Sequence, residues 1–191
     1  MQRREVQLRN GQIAVIGEAV PEDAAALLRH LDEVTAETDF LSMGEGELDW
    51  TEEKERQFIE DHRKADNKLL ILAEIEGQIA GLLGYTGDDR QRLRHAGEFG
   101  LTVTRTHWGL GLGTALIRIM IEWAKASRIV RKIDMRVRVD NERALRLYER
   151  LGFVREGVIT RQFAVAGTFY DAYLMGLDID PEHNRNRTAK R

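Results

Sequence analysis

Apolar positions along the chain switch between the spacing of a helix and that of a strand. Ala24, Leu27, Leu28, Leu31 and Val34 share one helical face, behind Pro21 at a first helical position and Glu22 and Asp23 in the first turn. From Glu37 to Trp50 no period holds; Thr51, followed by Glu52 and Glu53, predicts a second helix running to about Lys64. Leu69 to Ile75 and Gln78 to Tyr85 are apolar runs around Glu76-Gly77, the pattern of a hairpin. Gly87-Asp88-Asp89-Arg90 reads as a loop, Ala96 to Val103 as a strand and Ala115 to Ala126 as an amphipathic helix. Ile133, Met135, Val137 and Val139 occupy every second position, as in a half-buried strand. Ala144, Leu145, Tyr148 and Leu151 mark a short helix stopped by Gly152. Phe153 to Phe163 and Tyr170 to Leu177 form a last strand pair joined through Gly167. With no internal repeat and no Pro- or Ser-rich linker, this alternation predicts one α/β domain over 1–178. The polar, basic end, 179–191, is expected to be disordered.

Composition narrows the chemistry. The chain has 191 residues, 42% hydrophobic and 32% charged, the profile of a globular domain with one sizeable core. A formal net charge of -3 argues against a nucleic-acid partner, which would call for a basic face. The chain contains no cysteine, which excludes disulfides, thiolate metal sites and an acyl-cysteine intermediate. Residues 1–6 are polar, unlike a signal peptide, and no apolar run approaches the roughly 18 residues that span a bilayer. A cytoplasmic location with no membrane partner is expected. His30, His62, His95, His107 and His183 are scattered, read as surface or loop side chains, and have no metal-ligand spacing.

The densest chemical signal is Trp108-Gly109-Leu110-Gly111-Leu112-Gly113-Thr114, between the Ala96–Val103 strand and the helix after it. A strand, a glycine turn and a helix start together present free N–H groups at a positive dipole end, a site for phosphate or pyrophosphate. A dinucleotide-binding turn wants G-x-G-x-x-G/A directly after the strand; here Thr114 holds the sixth place, and Thr104 to Trp108 intervene. A nicotinamide-dependent oxidoreductase is therefore a poor fit. A P-loop needs a lysine after the glycines, and none follows. A turn that merely packs a helix on a sheet is the plain alternative.

A second segment, Asn141-Glu-Arg-Ala144-Leu-Arg-Leu147-Tyr148-Glu-Arg-Leu-Gly152-Phe153, follows the alternating strand. Taken with the glycine turn, it resembles the GNAT superfamily of N-acetyltransferases, whose signature is a Q/R-x-x-G-x-G/A turn and then N-x-x-A-x-x-L-Y-x-x-x-G-F. Gly111 and Gly113 match the turn, and Asn141, Ala144, Leu147, Tyr148, Gly152 and Phe153 match the second segment. Trp108 stands where Gln or Arg is usual, a variant known in the branch resembling ribosomal-protein and polyamine acetyltransferases. The order of elements is similar from about residue 12 to residue 178.

The resemblance implies an acyltransferase fold, a mixed and mostly antiparallel sheet flanked by helices. It implies acetyl-CoA as cosubstrate, no metal, direct attack of a primary amine in a ternary complex, and a homodimer as a family-level expectation. Backbone N–H groups of Gly109, Leu110, Gly111, Leu112, Gly113 and Thr114 would hold the pyrophosphate. The backbone of Leu101, Thr102 and Val103 would lie along the pantetheine arm and supply an oxyanion donor. Trp108 would cover the cofactor or fill the core. Asn141, beside Ala144, would bond the pantetheine or a carbonyl, or serve as a plain helix N-cap.

A lysine-like amine has a pKa of about 10.4, so a general base must help at neutral pH. Glu98 is an acidic residue inside an otherwise apolar strand, and in several branches of the family a Glu at this place is the base. Otherwise it is a solvent-facing edge residue. Tyr148, with an intrinsic pKa near 10, would protonate the leaving sulfur of CoA. A non-catalytic acyl-CoA-binding sensor is the alternative function.

The acceptor, a small-molecule or peptide amine, is left open. Glu45, Glu47, Asp49, Glu52, Glu53 and Glu55 could attract a cationic amine, although acids at a helix start have an ordinary explanation in the dipole. Glu37 and Asp39 could also touch it. Phe163, Phe169, Tyr170 and Tyr173 on the last hairpin read chiefly as core, although proteins of the family it resembles often use this region in dimer contacts or over the acceptor pocket.

Overall fold

The computed structural model describes residues 2–180. In chain order it contains β1 (Arg4–Gln7), β2 (Ile13–Glu18), α1 (Ala24–Glu37), α2 (Glu52–Lys64), β3 (Lys68–Ile75), β4 (Gln78–Gly87), β5 (Ala96–Val103), α3 (Leu112–Ser127), β6 (Lys132–Arg138), α4 (Glu142–Arg150), β7 (Val154–Val165) and β8 (Thr168–Asp178). The strands form one 8-stranded sheet in the order β1-β2-β3-β4-β5-β6-β8-β7. Every neighbouring pair is antiparallel except β5 and β6.

The apolar run of β3 belongs to a strand covered on both faces. Leu69, Ile71, Ala73 and Ile75 pack into the larger core with Leu112, Leu116, Ile117 and Met120 of α3. Leu70 and Leu72 face the other way, against Ala24 and Leu27 of α1 and Ile59 of α2. Each such buried leucine contributes about 1.5–3 kcal/mol relative to exposure. The Thr51 hydroxyl caps α2 by accepting from Lys54 N–H at 3.3 Å, and acids in its first turn oppose His62, Arg63 and Lys64 in its last.

The sheet divides at β5 and β6. These strands pair only at Ala96–Lys132, Gly97–Ile133 and Glu98–Asp134. Beyond Glu98, β5 stays on β4 as far as Val103, while β6 stays on β8 as far as Arg138. Each strand keeps its outer partner and loses its inner one, so the sheet forks. Gly97 allows the tight closure at the base of the fork: a Cβ there would lie 2.3 Å from Thr86 O and 2.7 Å from Tyr85 Oη.

Two local readings are corrected, and one hairpin is new. Helix α3 starts at Leu112, three residues before the expected Ala115, because Gly111 serves as its N-cap at φ +100°. The β1–β2 hairpin had no strand signal, since β1 reads Arg-Glu-Val-Gln and is mostly exposed. Ile179 and Asp180, expected in the tail, are held: Ile179 N–H donates to Arg131 O at 2.9 Å and Asp180 pairs with Arg131 at 3.0 Å. The rest of the expected tail, 181–191, lies outside the described residues.

Candidate active site

A cavity of about 460 Å³ fills the fork. Its walls come from the open edges of β5 and β6, the glycine turn, the start of α4, and the chain just after α1. Of the sequence-identified residues, Glu98, Leu101, Thr102, Val103, Trp108, Gly109, Gly111, Leu112, Gly113, Thr114, Asn141, Ala144 and Tyr148 all line it. Leu110 does not; it packs against the large core, and its carbonyl accepts from Arg9 N–H at 3.1 Å.

The glycine turn is shaped by left-handed backbone at Gly109 (φ +78°) and Gly111 (φ +100°), conformations that favour glycine. A Cβ at either would meet nothing within 4 Å, so these positions face open space. The first intrahelical bond of α3 runs from Ala115 N–H to Gly111 O at 3.0 Å. The N–H groups of Leu112, Gly113 and Thr114 therefore have no helical acceptor and sit at the positive dipole end. Arg9, in the β1–β2 loop, braces the turn: its guanidinium donates to Gly109 O at 3.2 Å, besides its backbone bond to Leu110 O.

The ladder decides which β5 groups face the fork. Thr104 N–H donates to Ala80 O and Asp88 N–H to Ala96 O, so the even-numbered residues of β5 direct their backbone groups to β4. Those of Leu101 and Val103 face the opening. The Val103 carbonyl is taken by the Trp108 indole N–H at 2.6 Å. Thr102 instead presents its side chain to α1, where Oγ1 lies 2.8 Å from His30 Nε2.

Tyr148 reaches the fork from α4, on the α3 side of the sheet. It is buried in an aromatic cluster, with ring centroids 5.9 Å from both Phe99 and Phe153. Burial pushes its phenol above the ordinary value, so the group stays protonated. Among the described residues nothing hydrogen-bonds its hydroxyl. Asn141 caps α4, its Oδ1 accepting from Ala144 N–H at 3.2 Å.

Glu98 lies on the opposite face, half-exposed, and accepts from Arg136 Nη2 at 2.6 Å. Farther along β6, Arg138 is buried; its guanidinium donates to Asp39 O and to both Asp140 carboxylate oxygens, between the rings of Phe40 and Tyr170. It thereby docks the chain after α1 onto β6 and β8.

The acidic segment does not gather at the site. None of Glu45, Glu47, Asp49, Glu52, Glu53 and Glu55 lines the cavity. Glu47 turns back to Gly44 N–H, Glu52 pairs with Arg56, and Glu55 is buried, its carboxyl raised to about 7 by desolvation. Glu37 accepts from Arg105 N–H at 2.7 Å. Two histidines are also corrected: His30 and His62 are buried, not on the surface. Both occupy the buried faces of their helices and hydrogen-bond a carbonyl and a threonine; burial lowers their ring pKa values, against the opposing effect of the carbonyl contacts.

Sequence reasoning missed Arg9, Arg136, Arg138 and Phe40. Arg136 and Arg138 had a legible signal, charge at every second position opposite the apolar face of β6. Arg9 and Phe40 had none, because they reach the site from loops far away in sequence.

Comparison with known proteins places this architecture. The family model described as "Acetyltransferase (GNAT) family" matches residues 31–153. The crystal structure of a GNAT-family acetyltransferase from Streptococcus pneumoniae superposes with a TM-score of 0.84 at 39% identity, covering 86% of this chain and 98% of that one. The structure of yncA from Salmonella typhimurium, solved with its cofactor acetyl-CoA, has the same fold: TM-score 0.78, 18% identity, 91% of this chain and 98% of that one. The L-amino acid N-acetyltransferase AaaT of Escherichia coli is 33% identical over 105 residues, 55% of this chain and 65% of that relative, so the match spans just under two thirds of its length. With the family model covering the fork, the glycine turn and the Asn141–Phe153 segment, the chain belongs to the acetyltransferase (GNAT) family.

Proposed function

We propose that the chain moves an acetyl group from acetyl-CoA to a primary amine, by direct attack while both substrates are bound. One observation carries this reading: unpartnered backbone donors at the α3 N-terminus open into the same cavity as the unpartnered Tyr148 hydroxyl.

The residues present fit CoA. The free N–H groups of Leu112, Gly113 and Thr114 suit a pyrophosphate. Gly113 sits inside a helix, where glycine costs about 0.5–1 kcal/mol relative to alanine. Protein packing does not demand it, since a Cβ would be 3.4 Å from Leu101 Cδ2, an ordinary contact. A phosphate pressed on the backbone explains the missing side chain. The open backbone of Leu101 and the Val103 N–H can pair with an extended amide chain and with the developing oxyanion. Acetyl-CoA supplies the activated acyl group; AaaT and the yncA complex support the amine acceptor and the cosubstrate by analogy.

Deprotonating an amine of pKa about 10.4 at pH 7 costs on the order of 4–5 kcal/mol. Glu98 takes that proton, directly or through water, so that the neutral nitrogen forms the C–N bond; the second proton the nitrogen loses on becoming an amide passes to solvent. As the C–S bond breaks, Tyr148 gives its proton to the sulfur, and exchange with solvent restores both side chains. Before an acceptor binds, the Arg136 guanidinium holds the Glu98 carboxylate at 2.6 Å.

Residues 2–180 act as one catalytic domain in this reading, in the cytoplasm. No helix among the described residues is long and apolar enough to cross a membrane. Exposed Val154 and Val158 on the edge strand β7 support a homodimer. Calorimetric titration with CoA, followed by thiol release from acetyl-CoA across an amine panel, tests the proposal. A sensor module would bind CoA and release no thiol with any amine.

A further inference from the structure

The charges at the acceptor end of the fork point to a narrower substrate class. Glu98 is the last β5 residue in register with β6, and Arg136 stands two residues beyond Asp134, the partner of Glu98. Their 2.6 Å ion pair therefore spans the place where the strands part, and both residues line the cavity. Each is about half-exposed, at 51% for Glu98 and 44% for Arg136, so solvent or a ligand reaches both. Arg138, two residues along the same strand, offers nothing to a ligand: it is 3% exposed and its donors are committed to Asp39 and Asp140. The acidic residues between α1 and α2 that would welcome a polycation lie off the cavity.

We propose, building on the acetyl-transfer reading, that the acceptor is a zwitterionic α-amino acid and that Arg136 is the receptor for its carboxylate. The amine faces Glu98 and the carboxylate faces Arg136. One protein–protein ion pair then opens into two protein–ligand pairs, with charge balanced throughout. A polyamine would set its second cation against Arg136, and a peptide N-terminus would leave that guanidinium without a new partner. Phe40, Leu41 and Phe163 give the neighbouring wall an apolar surface, which suits an apolar side chain. The reaction is the one above: the ammonium gives one proton to Glu98, the freed nitrogen gains the acetyl carbon and loses its second proton to solvent, and CoA leaves as the thiol with the proton from Tyr148.

The test compares thiol release with L-methionine, L-leucine and L-phenylalanine, their carboxamides, and spermidine. The free acids should exceed their amides in kcat/KM by about tenfold or more, the scale of one charge-assisted hydrogen-bond pair. Arg136→Gln should collapse that ratio toward one, and Arg136→Lys should restore part of it. Half-exposed Arg136 lies on the surface of the fork, so melting curves of the variants should match the parent. Amides as good as acids, spermidine preferred over every acid, or a ratio unchanged in Arg136→Gln would each overturn the inference while leaving acetyl transfer standing. Silence with every amine would remove the acetyl-transfer reading, and this inference with it.

Discussion

The imidazole of His30 on α1 meets the hydroxyl of Thr102 on β5 at 2.8 Å, and this one contact ties the helix on one face of the sheet to the strand that lines the fork. His30 Nδ1 lies 3.2 Å from Ile79 O, a carbonyl that can only accept. Nδ1 therefore carries the proton, and Nε2 accepts from the Thr102 hydroxyl. Burial lowers the His30 pKa to about 4. The folded state thus resists a proton that the unfolded chain takes up near pH 6.5. Stability is full above pH 6.5 and falls as the pH drops from 6.5 toward 4, by up to about 3 kcal/mol from this group. His62, lowered for the same reason, adds to the loss. Melting temperatures between pH 4.5 and 7.5 check this; His30→Gln should be less stable at pH 7.5 and show a flatter acid slope.

Glu55 works in the opposite sense. Its buried carboxyl titrates at about 7, above the ordinary 4.5. The folded state holds a proton that the unfolded chain has already lost, so stability declines as the pH rises from 4.5 through 7. Glu55→Gln should stabilise the protein at pH 8 by up to about 3 kcal/mol and have little effect at pH 4.5. Denaturant melts at the two pH values read the difference directly.

Gly111 separates backbone strain from ligand contact. At φ +100° any side chain is strained, so Gly111→Ala and Gly111→Glu should both lose about 1–2 kcal/mol of stability. Only the glutamate also places negative charge at the mouth of the phosphate cradle. Its CoA affinity should drop at least about tenfold below that of the alanine variant, a gap of 1.4 kcal/mol or more. Equal affinities would detach CoA from this turn.

Tyr148→Phe keeps the aromatic packing on Phe99 and Phe153 and removes only the hydroxyl. Stability and acetyl-CoA affinity should stay near those of the parent, while kcat falls by about a hundredfold, the scale of general-acid catalysis. An unchanged kcat with chemistry rate-limiting would remove the phenol from the reaction.

Much of this was legible in the sequence because the signals were local. The β6 alternation, the Glu76-Gly77 turn and the Asn141–Phe153 segment each follow from neighbouring residues. What stayed hidden depends on the third dimension. Edge strand β1 buries too little to leave a pattern. His30 and His62 read as surface or loop side chains, yet each ring fills a core site by bonding a threonine and a carbonyl. The acidic stretch before α2 looked like one patch, but the fold sends Glu47, Glu52 and Glu55 to three different partners or environments. Arg136 and Arg138 lie two residues apart on the same strand; the positions of Asp39, Asp140 and the Phe40 and Tyr170 rings decide that one is sealed and the other open.

The measurement that bears most directly on catalysis in the β5–β6 fork is the initial rate of thiol release with acetyl-CoA and an apolar L-amino acid both varied. Attack within a ternary complex predicts release that requires the amine and double-reciprocal lines that intersect. Release that ignores the amine, or parallel lines indicating an acetylated enzyme, would contradict it.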